Sequence, residues 1–348
     1  MISQVSQTGL RGAQPTADPI TIAVTVYDRR QYLSQAISSA LDQTVPVRVI
    51  VVEDCGPDVG MERFVCEKFG NRIKYFRNPR RRGLFGNWNA CLELCETRWL
   101  SILHDDDFLK PCLAETMLQL LTEAPGRGLY FGNFVLVSER GERVPYPQRP
   151  VANPWEEIDL RALAEENFLG FAGQLIDVAY VQALGGFREH SRFCGDWEMW
   201  FKLAINYGGI RASRVVACAR SYHDRQRGTS QVVRSGKAFG LSIVQGKRNY
   251  ALLRQKGLAG PLPSRLLRNR FAPHPRFLLD HAMHFSSRWL TYNVELFLHS
   301  GSDPASAASW LFKILVRLLG RRFVRGLSRL WNWRIRSQSS CLAASKQV

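Results

Sequence analysis

The first sustained apolar stretch, ITIAVTVY at residues 20–27, runs without a charged break, and the same texture returns in VRVIVVED (47–54), RIKYFR (72–77) and RWLSILH (98–104). Runs this short and this rich in Val, Ile and aromatics predict strands. Between them, Tyr32 to Leu41, Met61 to Phe69 and Phe85 to Leu94 carry apolar residues at helical spacing. Strands alternating with helices imply crossover connections and a mostly parallel sheet, hence an α/β fold.

After Pro125 the pattern changes. GLYFGNFVLVSERGERVPY predicts a hairpin turning at SERG, and Trp155 to Glu166 predicts a helix. GGFREHSRFCGDWEMWFKLAINYGG predicts a Gly-rich turn, a loop, and a helix opening at Asp196 with Trp197, Trp200, Phe201 and Ala204 on one face. Those aromatics suit either core packing or stacking on a sugar. A strand over 210–219 leads into RSYHDRQRGTSQ.

In open parallel sheets, ligands bind beyond the carboxyl ends of the strands. Asp28, Asp54 and Asp105 to Asp107 each follow such an end, so five carboxylates are expected along one rim. Clustered carboxylates repel one another unless a cation holds them. Mn2+ and Mg2+ choose oxygen ligands and commonly share them with substrate phosphates. The plainer reading is a solvated turn, with Asp107 capping a helix over FLKPCLAETMLQLL.

Apolar residues at 45% fit a globular chain. The net charge of +17 changes the picture only once it is located: from Gly246 to Val348 there are 18 Lys and Arg against Asp280, Glu295 and Asp303. Within 305–331, Lys313, Arg317, Arg321, Arg325 and Arg329 recur at every fourth position beside an apolar face. No apolar run reaches the ~20 residues of a membrane span. The first 18 residues are polar and lack the apolar core of a signal peptide, which predicts a loose tail and a cytoplasmic protein. Eight cysteines without a Cys-x-x-Cys pair suit buried thiols rather than a zinc site.

The run TVYDR, VVED, RNPRRRGLFGNWNACLELCETRWLSILHDDDFL and GGFREHSRFCGDWEMWFKLA, in that order and spacing, resembles the family 2 glycosyltransferases of the GT-A fold over roughly residues 20–230. The resemblance implies a nucleotide-sugar donor, in particular a UDP-sugar, with Tyr27, Asp28 and Arg29 in the nucleotide-binding turn and Asp54 accepting from a base N–H. It places Gly83 and Asn89 beside the nucleotide, Asp105 near the ribose or diphosphate, and Asp106 and Asp107 on the Mn2+ or Mg2+ ion. His104 stands where the family's acidic motif begins with Asp, and His223 falls where many such enzymes bring a late His to the metal. Asp196 matches the family's catalytic base, its ionised form favoured by a helix N-terminus. Inversion at the anomeric carbon follows from that arrangement.

The implied layout is a tail over 1–18, a catalytic domain over 19–245 with a nucleotide-binding half (19–125) and an acceptor half (126–245), and a basic helical region over 246–348. The acceptor implied is a saccharide or lipid-linked saccharide in cell-surface polysaccharide synthesis. The basic helices suggest a peripheral hold on the anionic inner face of the cytoplasmic membrane, or else a subdomain packed on the catalytic domain. No nucleic-acid module accompanies the charge. A nucleotidyltransferase and a catalytically inactive scaffold are the alternatives.

Overall fold

The computed structural model describes residues 20–145, 149–220 and 237–259. The N-terminal tail, His223 and the basic stripe of 305–331 lie outside the described residues. Two compact units divide the chain. The first is Met1–Ile158, Phe168–His190 and Met199–Ser221; the second is Asp159–Asn167, Ser191–Glu198 and Tyr222–Val348.

The first unit is built on four parallel strands: β1 (Ile20–Val26), β2 (Arg48–Glu53), β3 (Lys74–Arg77) and β4 (Trp99–His104). Every residue of β1 is buried, as a strand flanked on both sides and covered on both faces must be. Its register places Val26 opposite Glu53 and Thr25 opposite His104. The three central strands therefore end level, and the turns leaving them share one rim. The helices α1 (Leu33–Leu41), α2 (Met61–Phe69) and α3 (Gly83–Leu94) make the crossovers, within two residues of the boundaries expected from the periodicity.

The sheet continues through β5 (Phe108–Leu109), β6 (Leu129–Val137), β7 (Arg143–Val144), β8 (Trp155–Glu157), β9 (Gln174–Asp177) and β10 (Gly209–Arg220), in the order β3-β2-β1-β4-β9-β6-β10-β5. β7 pairs with β6 through the SERG turn, where Ser138 N–H donates to Glu142 O at 2.7 Å. α4 (Leu113–Glu123) and α6 (Val178–Ala183) complete the unit, together with the residues of α7 (Gly195–Tyr207) from Met199 on.

Two expectations are corrected. Trp155–Glu157 is a strand, because its backbone is taken up by antiparallel pairing with Ala212, Arg211 and Ile210 of β10. Asp107 does not cap a helix: Phe108–Leu109 pairs with Cys218 and Ala217, and α4 begins only at Leu113, beyond Pro111.

In the second unit, α5 (Leu160–Glu165) is capped by Asp159, whose carboxylate accepts the amides of Arg161 and Ala162 at 3.0 and 3.1 Å. α5 packs on α8 (Lys237–Gln255). The aromatic face of α7 resolves toward packing: Trp197, Trp200 and Phe201 are each no more than 3% exposed. No described helix is long and apolar enough to cross a membrane.

Candidate active site

At the end of β2, two adjacent acids do different work. Glu53 is fully buried and accepts from Tyr75 Oη, from Arg77 Nη1 and from Gly56 N–H at 2.9 Å. Asp54 reaches the start of α3, where Oδ1 accepts Arg82 N–H at 2.6 Å and Oδ2 accepts Gly83 N–H at 2.9 Å. Exposed amides at a helix N-terminus need acceptors, and here another strand supplies them. Asn78 and Asn87 extend the network behind Asp54, with Asn87 Nδ2 donating to Val52 O at 3.1 Å. Asp54 is thus first a cap for α3, a role the sequence did not suggest, since the two segments are 28 residues apart.

Gly83 holds φ +73° and has open space where a side chain would stand. Asn89 turns the other way. Its Nδ2 donates to Phe187 O and its Oδ1 accepts Phe187 N–H, each at 2.9 Å. The contact joins α3 to the GGF turn, and Gly186 is required there because a Cβ would come within 2.7 Å of Asn89 Oδ1. Asn89, expected beside the nucleotide, thus also ties α3 to that turn.

The turn after β1 carries Tyr27, Asp28 and Arg29. Arg81 stacks its guanidinium 4.3 Å from the centre of the Tyr27 ring, while Arg82 is paired with Glu93 at 2.6 and 2.7 Å. Arg29 forks across the acidic motif, with Nη2 2.6 Å from Asp105 Oδ1 and Nη1 2.6 Å from Asp106 Oδ2. Asp28 lies near enough for its charge to act on Asp105. The turn after β1 and the turn after β4 are therefore one electrostatic unit.

Asp105 and Asp107 are buried, and burial pushes both carboxyls above the usual range; Arg29 opposes the rise for both, and the amide of Arg220 opposes it for Asp107. Arg220 fastens the motif from β10. Its N–H donates to Asp107 Oδ1 at 2.7 Å, its Nε to Asp106 O at 2.9 Å, and its Nη2 to Gln35 at 2.7 Å. Nothing in the sequence separated this Arg from its many neighbours.

His104, Asp106 and Asp107 offer ligand atoms that all lie within 4.8 Å of one another. Burial brings the His104 imidazole down to about 4, so at neutral pH it is uncharged and has a lone pair to give. Its ring stacks on Phe171 at 4.1 Å, its Nδ1 is 3.9 Å from Asp107 Oδ2, and its Nε2 is buried without a hydrogen-bond partner. One neutral imidazole with an unpartnered nitrogen and two carboxylates fit a divalent cation of the Mn2+ type. His104 thus stands in one cluster with Asp106 and Asp107, the two residues expected on the ion.

In the second unit, Asp196 stands in the first turn of α7 and accepts Trp197 N–H at 2.7 Å and Asn167 Nδ2 at 3.0 Å. Burial pushes its carboxyl up to about 6, against those two hydrogen bonds. The helix start does not hold it in the ordinary carboxylate range, contrary to the expectation drawn from the dipole.

A parallel sheet whose level strand ends gather acidic turns is the arrangement of the GT-A fold, and the comparisons agree. Residues 21–176 match the glycosyl transferase family 2 model. A Rickettsia felis protein named as an uncharacterized glycosyltransferase is 24% identical over 210 residues, covering 60% of this chain and 35% of that protein. The chain thus spans about a third of that relative's length. The succinoglycan biosynthesis protein ExoO of Rhizobium meliloti is 26% identical over 264 residues, covering 72% of this chain and 73% of ExoO. Among solved structures, Staphylococcus aureus TarS 1–349 in complex with UDP-GlcNAc superposes with TM-score 0.53 at 15% identity over 84% of this chain and 79% of that one. The mannosyltransferase PcManGT of Pyrobaculum calidifontis, in complex with GDP-Man and Mn2+, gives TM-score 0.51 at 16% identity over 97% and 90%. Residues 21–176 match glycosyltransferase family 2, and the fold is that of the GT-A enzymes.

Proposed function

We propose that this chain transfers a sugar from a nucleoside diphosphate donor, a UDP-sugar by preference, to a hydroxyl of a saccharide or lipid-linked saccharide. The observation that carries the reading is the joined acidic rim, where Arg29, Asp105 and Asp106 interlock beside the His104, Asp106 and Asp107 cluster. Support comes from the family match, from the UDP-GlcNAc and GDP-Man complexes of the neighbouring folds, and from a relative named for succinoglycan biosynthesis.

His104, Asp106 and Asp107 would hold the divalent ion, which when bound neutralises charge on the departing diphosphate. Tyr27, Asp28, Arg29, Asp54, Gly83, Asn89 and Asp105 form the donor's surroundings, with the fixed α3 N-terminus presenting an open Gly83. Asp196 is the base. The acceptor oxygen bonds to the anomeric carbon, the carbon–phosphate oxygen bond breaks, and the acceptor proton passes to the Asp196 carboxylate. Attack opposite to the leaving group inverts the anomeric centre. The basic region of 246–348 would hold the protein on an anionic membrane surface, a reading tested by sedimentation with anionic liposomes.

The deciding experiment incubates the protein with a panel of UDP- and GDP-sugars and Mn2+ or Mg2+. One donor should release its nucleotide diphosphate slowly, and a chelator or Asp106→Ala should stop it. No release from any donor, with the protein folded and nucleotide binding absent, rejects the reading.

A further inference from the structure

We infer that Glu53 is a positioning residue for the donor nucleotide: its carboxylate, together with Arg77 of β3, fixes the turn that carries Asp54 against the turn that carries Tyr27. This role deepens the sugar-transfer reading and rests on it for the place of the nucleotide. Glu53 is wholly buried, so it works only through its neighbours.

The turn after β2 takes a shape that its own residues do not favour. Cys55 has φ +50°, the one positive value outside glycine among the described residues, and a side chain there is strained. Such a conformation persists only where its surroundings over-determine it. Here both polar groups of the next residue are held. Gly56 N–H donates to Glu53 Oε1 at 2.9 Å, and Gly56 O accepts from Arg77 Nη2 at 2.8 Å. The other arm of the Arg77 guanidinium returns to the same Glu53 Oε1, so one carboxylate and one guanidinium close a ring around Gly56. Tyr75 Oη takes the second oxygen, Oε2, and burial together with Glu53 holds its phenol above the usual range, so it stays a donor. A buried carboxylate is costly unless it is partnered, and two of the three donors that meet this cost are side chains of β3.

The consequence lies in what Gly56 touches. A Cβ there would stand 1.7 Å from Tyr27 O, so the backbone of the β2 turn lies directly on that of the β1 turn. Beside this contact Asp54 N–H donates to Val26 O at 2.9 Å, and further along Arg30 forks onto Asp58, with Nη2 2.6 Å from Oδ1. Tyr27, expected in the nucleotide-binding turn, and Asp54, expected to accept from the base, are therefore spaced by the peptide that Glu53 and Arg77 hold. Cutting the clamp frees that peptide and changes the spacing. The His104, Asp106 and Asp107 cluster follows β4, which borders β1 on the side away from β2. Loss of the clamp is thus felt by the nucleotide and not by the metal.

Isothermal titration of UDP and GDP into the full chain, with Mn2+ binding counted separately by electron paramagnetic resonance, provides the test. Glu53→Gln keeps the shape and an acceptor for Gly56 N–H but loses the charge that holds Arg77. It should weaken binding of the preferred nucleotide about tenfold, raise KM for the donor by a like factor with kcat nearly unchanged, and leave Mn2+ affinity as it was. The Arg77 side chain is 31% exposed, so Arg77→Met and Arg77→Lys keep the test open should Glu53→Gln fail to fold. Arg77→Met should match the Glu53→Gln loss, and Arg77→Lys, which can still pair with Glu53, should recover part of it. Nucleotide affinity equal to that of the wild type in the folded variants, or Mn2+ affinity falling in step with it, would overturn the role of Glu53 alone. A wild-type chain that binds neither UDP nor GDP would overturn the sugar-transfer reading and this role with it.

Discussion

Arg29 Nη1 stands 2.6 Å from Asp106 Oδ2, and the other arm of the same guanidinium holds Asp105 at 2.6 Å. An arginine side chain thus supplies, from the β1 turn, the positive charge that the β4 carboxylates need in order to lie side by side. A divalent ion ligated by Asp106 competes with it for the same oxygens. Replacing Arg29 by Gln should tighten Mn2+ binding in the absence of nucleotide, by about tenfold at most, because the pair is partly exposed and screened. Free Mn2+ counted by electron paramagnetic resonance reads this directly. Affinity for a nucleoside diphosphate should fall in the same variant, since a cation near the diphosphate is lost. Unchanged Mn2+ affinity would show that Arg29 and the ion do not share Asp106.

His104 gives the acidic motif a softer donor than the aspartate usual at its first position. A neutral imidazole favours Mn2+ over Mg2+, whereas a carboxylate suits both and adds charge. His104→Asp should raise the ratio of Mg2+ to Mn2+ affinity several-fold, measured by competition for the Mn2+ signal. The same change removes the ring stacked 4.1 Å from Phe171, so a lower Tm is expected alongside.

Asp54 tests the structural half of the rim. It satisfies two amides of the α3 start from a buried position, and Asn would keep the shape while losing an acceptor and the charge. Asp54→Asn should lower stability by about 1–2 kcal/mol, the range of a lost helix cap, read by urea denaturation. A donor-affinity loss without any stability loss would instead make Asp54 a nucleotide reader alone.

The parallel half of the fold was legible because β1, β2 and β4 are buried along nearly their whole length and read as apolar runs, while the helices between them keep a clear period. Trp155–Glu157 was not, because three residues carry no period and only the pairing with β10 makes them a strand. The site divides the same way. Acids that follow strands could be placed on a rim from sequence, but what each touches depends on contacts between distant segments. Asp54 meets α3, Asn89 meets Phe187 98 residues on, and Arg220 reaches Asp107 across 113 positions. Local pattern cannot hold that information.

As the proposed base, Asp196 should link activity and stability to pH with opposite signs. Burial pushes its carboxyl up to about 6, from the ordinary value of 3.8 that applies when the chain is unfolded. A base must be ionised, so kcat/KM should fall tenfold per unit as pH drops below about 6 and level off above it. Stability runs the other way. A raised folded pKa means that the folded chain holds its proton longer, so the contribution of Asp196 is fully present below the unfolded value and is lost as pH rises through about 6. At pH 8 the buried carboxylate is therefore a burden that Asp196→Asn relieves. The variant should lose transfer by orders of magnitude, keep donor binding, and gain on the order of 1–3 kcal/mol at pH 8 but little at pH 4. Parallel pH–rate profiles and urea titrations separate the two effects. A variant that retains transfer removes Asp196 from the chemistry, and one that is no more stable at pH 8 than at pH 4 removes the burial argument for its shifted titration.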